Sequence, residues 1–230
     1  MAAPIILVPG FWLGAWAWDD VAAILRAQGH DVTALTLPGL ESTGTDRSRI
    51  TLTDHVDAIC TALSAAAAPA VLAVHSGASV PGYGASDRLP ERIAAMVYVD
   101  TAPGTGAIKP DFDDVEWPLP EWSDLDENID GIPQAMIEEF RARAVPEPGA
   151  ALREAPSLAN PARLDVPSTV ICCAFPSDQV KLAARENYPW MDALNELRTV
   201  DYVDLPTSHW PMWSRPKELA ALLSEIAVQA

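Results

Sequence analysis

The chain has 230 residues, 49% of them hydrophobic, which suits one folded domain with a sizeable core and excludes a disordered chain. Its formal net charge of −17, from 32 acidic and 15 basic residues, repels phosphate backbones and anionic lipid, so neither nucleic acid nor a membrane is expected as a partner. No apolar run is long enough to span a bilayer, and the first residues lack the charged and apolar regions of a secretory signal, so a cytoplasmic location is expected.

Residues 4–8, Pro-Ile-Ile-Leu-Val, make a short continuous apolar run of the kind a strand covered on both faces needs. A loop rich in Gly and Trp follows, then a helix over 18–28 closed by Gly29. Alternation over 31–36 predicts a second strand. Val56, Ile59, Cys60 and Leu63 recur at helical spacing, ahead of a third strand, Ala70-Val71-Leu72-Ala73-Val74. Residues 93–99, 169–174 and 199–205 predict three more strands. The closing helix takes Ser214 as its cap and Pro216 in its first turn, with Leu219, Leu222, Leu223 and Ile226 on one face. Strands interleaved with helices predict an α/β fold, a mostly parallel sheet of about six strands with helices on both faces. The three cysteines, with Cys172 and Cys173 adjacent in a strand, have neither disulfide-framework nor metal-ligand spacing, which fits a reducing compartment.

The alternation breaks over residues 101–165. This proline-rich stretch carries an acidic run at 111–116, Trp117 and Trp122, and one amphipathic helix at about 132–144. An excursion of that length between two core strands reads as a cap over the carboxyl edge of the sheet, where open α/β sheets bind ligands. The whole chain, 1–230, is then one domain with this insertion inside it.

His75-Ser76-Gly77 lies between the third strand and Gly77-Ala78-Ser79-Val80-Pro81-Gly82-Tyr83-Gly84, whose small side chains allow a helix to pack closely. A serine at such a turn projects its hydroxyl out of the sheet, and the helix start supplies N–H groups for an oxyanion. Ser76 is therefore the candidate nucleophile. Val74 stands where the G-x-S-x-G pattern has its first glycine, and Ala78 where it has its second. The serine needs a base. His30 follows a helix stop and His55 opens a helix face, so both read as surface. His75 points to the opposite face of its strand from its neighbour. His209, in the loop between the last strand and the last helix, fits the chain order serine, acid, histidine.

At this point the chain resembles a known family. Val8-Pro9-Gly10-Phe11-Trp12-Leu13-Gly14-Ala15-Trp16-Ala17-Trp18 is similar to the first-strand loop of α/β-hydrolases related to plant methylesterases, hydroxynitrile lyases and small bacterial esterases. Residues 26–32, 89–93 and 97–100 are similar to the same group. The resemblance implies an α/β-hydrolase fold trimmed from eight strands to six. It also implies an oxyanion hole from the main-chain N–H groups of Phe11 and Gly77. Pro9 replaces the family histidine, and Val74 the elbow glycine.

Two residues compete for the acid. Asp178 follows the strand at 169–174, the usual position in this fold, but four residues beyond it. Asp100 ends the strand at 93–99, where some α/β-hydrolases, including certain haloalkane dehalogenases, carry their acid. A carboxylate ending a buried strand costs several kcal/mol of desolvation unless paired, and an imidazole is a suitable partner, so Asp100 is preferred.

Together these residues imply a serine hydrolase for a small to medium, uncharged hydrophobic ester or lactone, with no cofactor and no metal. Trp12, Trp117, Trp122, Trp210 and Met212 are candidate pocket residues. Two alternatives remain: a carbon–carbon lyase, though the related lyases have a threonine where Phe11 stands and a lysine where Trp210 stands, or a non-catalytic small-molecule-binding protein of this fold. The oligomeric state is not legible.

Overall fold

The computed structural model describes residues 2–125 and 127–230. Met1, in the N-terminal stretch, and Asp126, within the excursion at 101–165, lie outside the described residues. The elements run β1 (Ile5–Val8), α1 (Asp19–Ala27), β2 (Val32–Ala34), α2 (Leu52–Ala65), β3 (Ala70–His75), α3 (Ser79–Arg88) and β4 (Ile93–Val99). Next come β5 (Glu116–Trp117), α4 (Trp122–Leu125), α5 (Gln134–Arg143), β6 (Glu147–Pro148) and α6 (Gly149–Arg153). The chain closes with β7 (Ser168–Cys172), α7 (Ser177–Arg185), β8 (Val200–Asp204), α8 (Pro211–Ser214) and α9 (Pro216–Gln229).

The six expected strands build one sheet in the order β2-β1-β3-β4-β7-β8, with every neighbouring pair parallel. Period-two alternation divides its side chains between two cores. Ile5, Leu7, Val71, Ala73 and Val97 join Val21 and Leu25 of α1 and Leu219 and Leu223 of α9. Ile6, Val8, Leu72, Val74 and Tyr98 join Ile59 and Leu63 of α2 and Tyr83 of α3. Each large aliphatic side chain so buried contributes on the order of 1.5–3 kcal/mol. Because both faces are covered, these strands read in sequence as unbroken apolar runs. With all strands parallel, the loops after β1, β3, β4, β7 and β8 leave from one edge. The order reverses between β1 and β3, so a crevice opens there.

The excursion between β4 and β7 holds the short antiparallel ribbon β5–β6, which pairs Glu116 with Pro148 and Trp117 with Glu147. Around it stand α4, α5 and α6. Only α5 has a counterpart in the sequence pattern.

Two local expectations are corrected. Ser214 does not cap α9: it ends α8, and Arg215 occupies the cap position without a side-chain cap bond. The Ser214 hydroxyl instead accepts from the hydroxyls of Thr207 and Ser208, at 2.7 and 2.9 Å. His55 is buried rather than on the surface, because its Nε2 bonds the Pro38 carbonyl at 2.8 Å. Cys60, Cys172 and Cys173 are all free thiols. No helix among the described residues is long and apolar enough to cross a membrane.

Candidate active site

Ser76 follows β3 directly and opens a 3-10 turn that leads into α3. Its φ is +50°, a left-handed conformation that costs a residue with a Cβ on the order of 1–2 kcal/mol. Trp12 (φ +63°) and Asp100 (φ +48°) share that strain, so three loops at one sheet edge are held in unusual turns. The loop after β1 runs hard against the serine turn. A Cβ added to Gly10 would stand 2.9 Å from the Ser76 Cβ, so residue 10 must lack a side chain for Phe11 to come alongside. Phe11 itself lies over Gly77, where an added Cβ would meet its ring at 2.2 Å.

The valine at the elbow has a physical explanation. Val74 Cγ1 lies 2.5 Å from the position a Cβ on Gly82 would take. The small residue needed for close packing is supplied by α3 rather than by the strand.

His209 and Asp100 meet at this edge. Nδ1 of His209 and Oδ2 of Asp100 are 2.6 Å apart, a charge-assisted distance. The other carboxylate oxygen, Oδ1, accepts the main-chain N–H groups of Cys173 and Ala174 at 2.8 and 2.9 Å. Burial pushes the Asp100 pKa up, but the His209 contact and these two amides outweigh it and leave it below the ordinary carboxylate value. Burial pushes His209 down, and the hydrogen bond to Asp100 with the charges of Glu127 and Asp100 more than reverses this, so its pKa is raised. Glu127 Oε2 is 3.8 Å from the same Nδ1.

His75 supports His209 from behind. Fully buried, it donates from Nε2 to the His209 carbonyl oxygen at 2.7 Å. Burial, with the neighbouring His209, pushes its pKa down to about 3, so it stays neutral. The Asn128 carbonyl accepts the His209 amide at 2.9 Å. Thr101 Oγ1 donates to the Ser76 carbonyl at 3.2 Å, which ties the turn after β4 to the turn after β3.

Asp178 lies elsewhere. It opens α7 rather than sitting in a loop, its side chain is 96% exposed, and its nearest cation is Lys181 at 3.6 Å.

Two cavities meet Ser76 and His209. One, of about 300 Å³, is walled by Trp12, Lys109, Trp117 and Trp210. The other, of about 330 Å³, extends past Gly77, Ile108 and Met191. Phe11 lines both. Two expected pocket residues lie away from them. Met212 is fully buried in the core beside α1 and α9, and Trp122 packs edge-on against Phe140 and Trp210. An apolar side chain in a loop reads the same in sequence whether it walls a cavity or fills the core. Lys109, over the Trp117 ring at 4.3 Å, and Glu127 were not expected here. Both sit in the aperiodic excursion, where no sequence period shows what they face. Among the described residues, no group of three or more His, Cys, Asp or Glu is placed to hold a metal ion.

Residues 5–222 match the family model described as the alpha/beta hydrolase family. The esterase PIR7B of Oryza sativa subsp. japonica is 38% identical over 104 residues, which cover 42% of this chain and 38% of that protein. Methylesterase 7 of Arabidopsis thaliana is 35% identical over 99 residues, covering 41% of this chain and 38% of the relative. The chain thus spans about two fifths of the length of the curated relatives it matches. Among solved structures, an extracellular alpha/beta-hydrolase from a Paenibacillus species superposes with a TM-score of 0.77 at 20% identity, covering 98% of this chain and 99% of that one. A pyrethroid hydrolase from Sphingobium faniae gives 0.70 at 19% identity, over 99% and 98% of the two chains.

Proposed function

This chain belongs to the alpha/beta hydrolase family, and on that footing we propose that it is a serine hydrolase cleaving a small to medium, uncharged hydrophobic carboxylic ester or lactone through an acyl-enzyme. Ser76 Oγ attacks the carbonyl carbon while Nε2 of His209 takes the hydroxyl proton. Asp100, bonded to Nδ1, keeps the imidazole in the tautomer with Nε2 free and stabilises the imidazolium that forms. The main-chain N–H groups of Phe11 and Gly77 receive the oxyanion. As the carbon–oxygen bond breaks, His209 returns the proton to the leaving alcohol. Water then attacks the acyl-serine with the same assistance, which frees the acid and restores Ser76.

The observation that carries this reading is the 2.6 Å contact of His209 with a doubly anchored Asp100, beside cavities that also contain Ser76. Residues 101–165 act as a cap in this account, because Trp117 and Leu125 wall the cavity over Ser76. The apolar surface of these two residues, with Val80, Ile108 and Met191 along the second cavity, supports an uncharged, hydrophobic acyl or alcohol group, although Lys109, Asp124 and Glu127 also line the first. The esterases among the relatives support the same class. A panel of p-nitrophenyl esters of increasing acyl length tests it. Turnover should be measurable with short and medium acyl chains and fall by about 10³-fold or more in Ser76→Ala. Turnover unchanged in that variant contradicts the proposal.

A further inference from the structure

Glu147 is a buried carboxyl that the reaction above does not use. It stands in β6, 135 residues from Trp12, and its Oε1 accepts the Trp12 main-chain N–H at 2.5 Å. Trp12 is anchored to the same stretch at every polar group it has. Its carbonyl accepts the Val145 amide at 3.0 Å, and its indole N–H donates to the Trp117 carbonyl at 3.1 Å. Such a set of bonds holds a residue that prefers other backbone angles at φ +63°. The ribbon carrying Glu147 is itself secured. Buried Arg47 reaches Glu116 Oε2 at 3.0 Å and the carbonyls of Ser42 and Thr45. The Gly149 amide donates to Val115 at 2.7 Å. Burial pushes the Glu147 pKa up to about 8, against the pull of the Trp12 amide and the Arg47 charge. Its Oε1 accepts from Trp12 whether or not the carboxyl is protonated.

We propose that Glu147 is a positioning residue of this site: its buried carboxyl holds the Trp12 amide, and with it the left-handed turn that carries the Phe11 N–H of the oxyanion hole. The inference rests on the serine hydrolase reading. It also makes the excursion part of the oxyanion hole's support as well as a wall of the cavity. An oxyanion donor acts in the transition state and scarcely on the bound ester, so loosening it lowers kcat more than it alters KM.

Three variants, Glu147→Gln, Glu147→Leu and Glu147→Asp, are assayed on a short-chain p-nitrophenyl ester beside wild type and Ser76→Ala. Gln keeps an acceptor oxygen in place and should stay within about threefold of wild-type kcat. Leu removes the acceptor and should lose roughly 10²-fold in kcat with KM changed by less than about threefold. Should the Leu protein fail to fold, Asp decides, because it withdraws the carboxyl by one methylene and should lower kcat at unchanged KM. Wild-type kcat in a folded Leu or Asp variant overturns the proposal, and so does equal loss in Gln and Leu. Those outcomes leave the nucleophile untouched where turnover still depends on Ser76. Turnover that persists in Ser76→Ala overturns both readings.

Discussion

Asp100 and His209, 109 residues apart in the chain, meet at 2.6 Å, and the turn after β7 donates two amides to the same carboxylate. That turn is where the fold usually carries its acid. In this chain it carries Cys173 and Ala174 and supports a carboxylate from the neighbouring strand instead. The desolvation that makes a strand-end aspartate costly is offset by three hydrogen bonds.

Asp100→Asn should therefore lower kcat by up to about four orders of magnitude, because the amide favours the wrong imidazole tautomer and removes the charge that supports the imidazolium. Asp178→Asn should change stability by less than about 0.5 kcal/mol and activity little, since Asp178 is 96% exposed. Thermal melts of both variants confirm folding before kcat is compared. An active Asp100 variant beside a collapsed Asp178 variant reverses the assignment.

With His209 as the proposed base, its raised pKa predicts the pH dependence of kcat/KM. On the proposed mechanism only the neutral imidazole can accept the serine proton, so activity should fall as pH drops through the His209 pKa. Asp100 and Glu127 favour the imidazolium, which places that limb above the ordinary value of 6.5. Removing the Asp100 charge should move the limb toward acid. A wild-type midpoint at or below 6.5, measured on a neutral ester, contradicts this electrostatic picture.

Val74 and Gly82 should behave as a coupled pair. Gly82→Ala places a methyl 2.5 Å from Val74 Cγ1, and the stiff valine cannot turn away. The expected cost is about 1–3 kcal/mol by denaturant unfolding, less up to about 1 kcal/mol of helix propensity. In a Val74→Ala background the clash disappears and the same change should be neutral or stabilising. Equal effects in both backgrounds refute the packing explanation.

The two tryptophans of the excursion should separate. Trp117 walls the cavity with Ser76, so Trp117→Ala should raise KM for long-chain esters more than for acetates. Trp122 packs against Phe140 and Trp210, so Trp122→Ala should lower Tm and leave chain-length preference unchanged. Steady-state kinetics over a chain-length series distinguishes them.

The sheet was legible because strands buried on both faces show as apolar runs, and Ala70–His75 is the clearest of them. Ser76 stood out because a strand, a turn and a run of small residues follow one another without interruption. His55 reads as a surface residue in the sequence because a buried imidazole bonded to one carbonyl leaves no pattern in its neighbours. The ribbon of Glu116–Trp117 with Glu147–Pro148 has two residues per strand, too few to show any period. Glu147 was missed for a related reason: its partner is a main-chain N–H far away in sequence, and an amide has no residue type to recognise. Met212 and Trp122 show the converse, since their apolar character was evident and their surroundings were not.

The role of Ser76 as nucleophile is read out by intact-mass analysis after fluorophosphonate treatment. Wild-type protein should gain the mass of a single phosphonyl group, and peptide mapping should place it on Ser76, with Ser76→Ala unlabelled. An adduct on another residue, or none on folded wild-type protein, rules Ser76 out as the nucleophile.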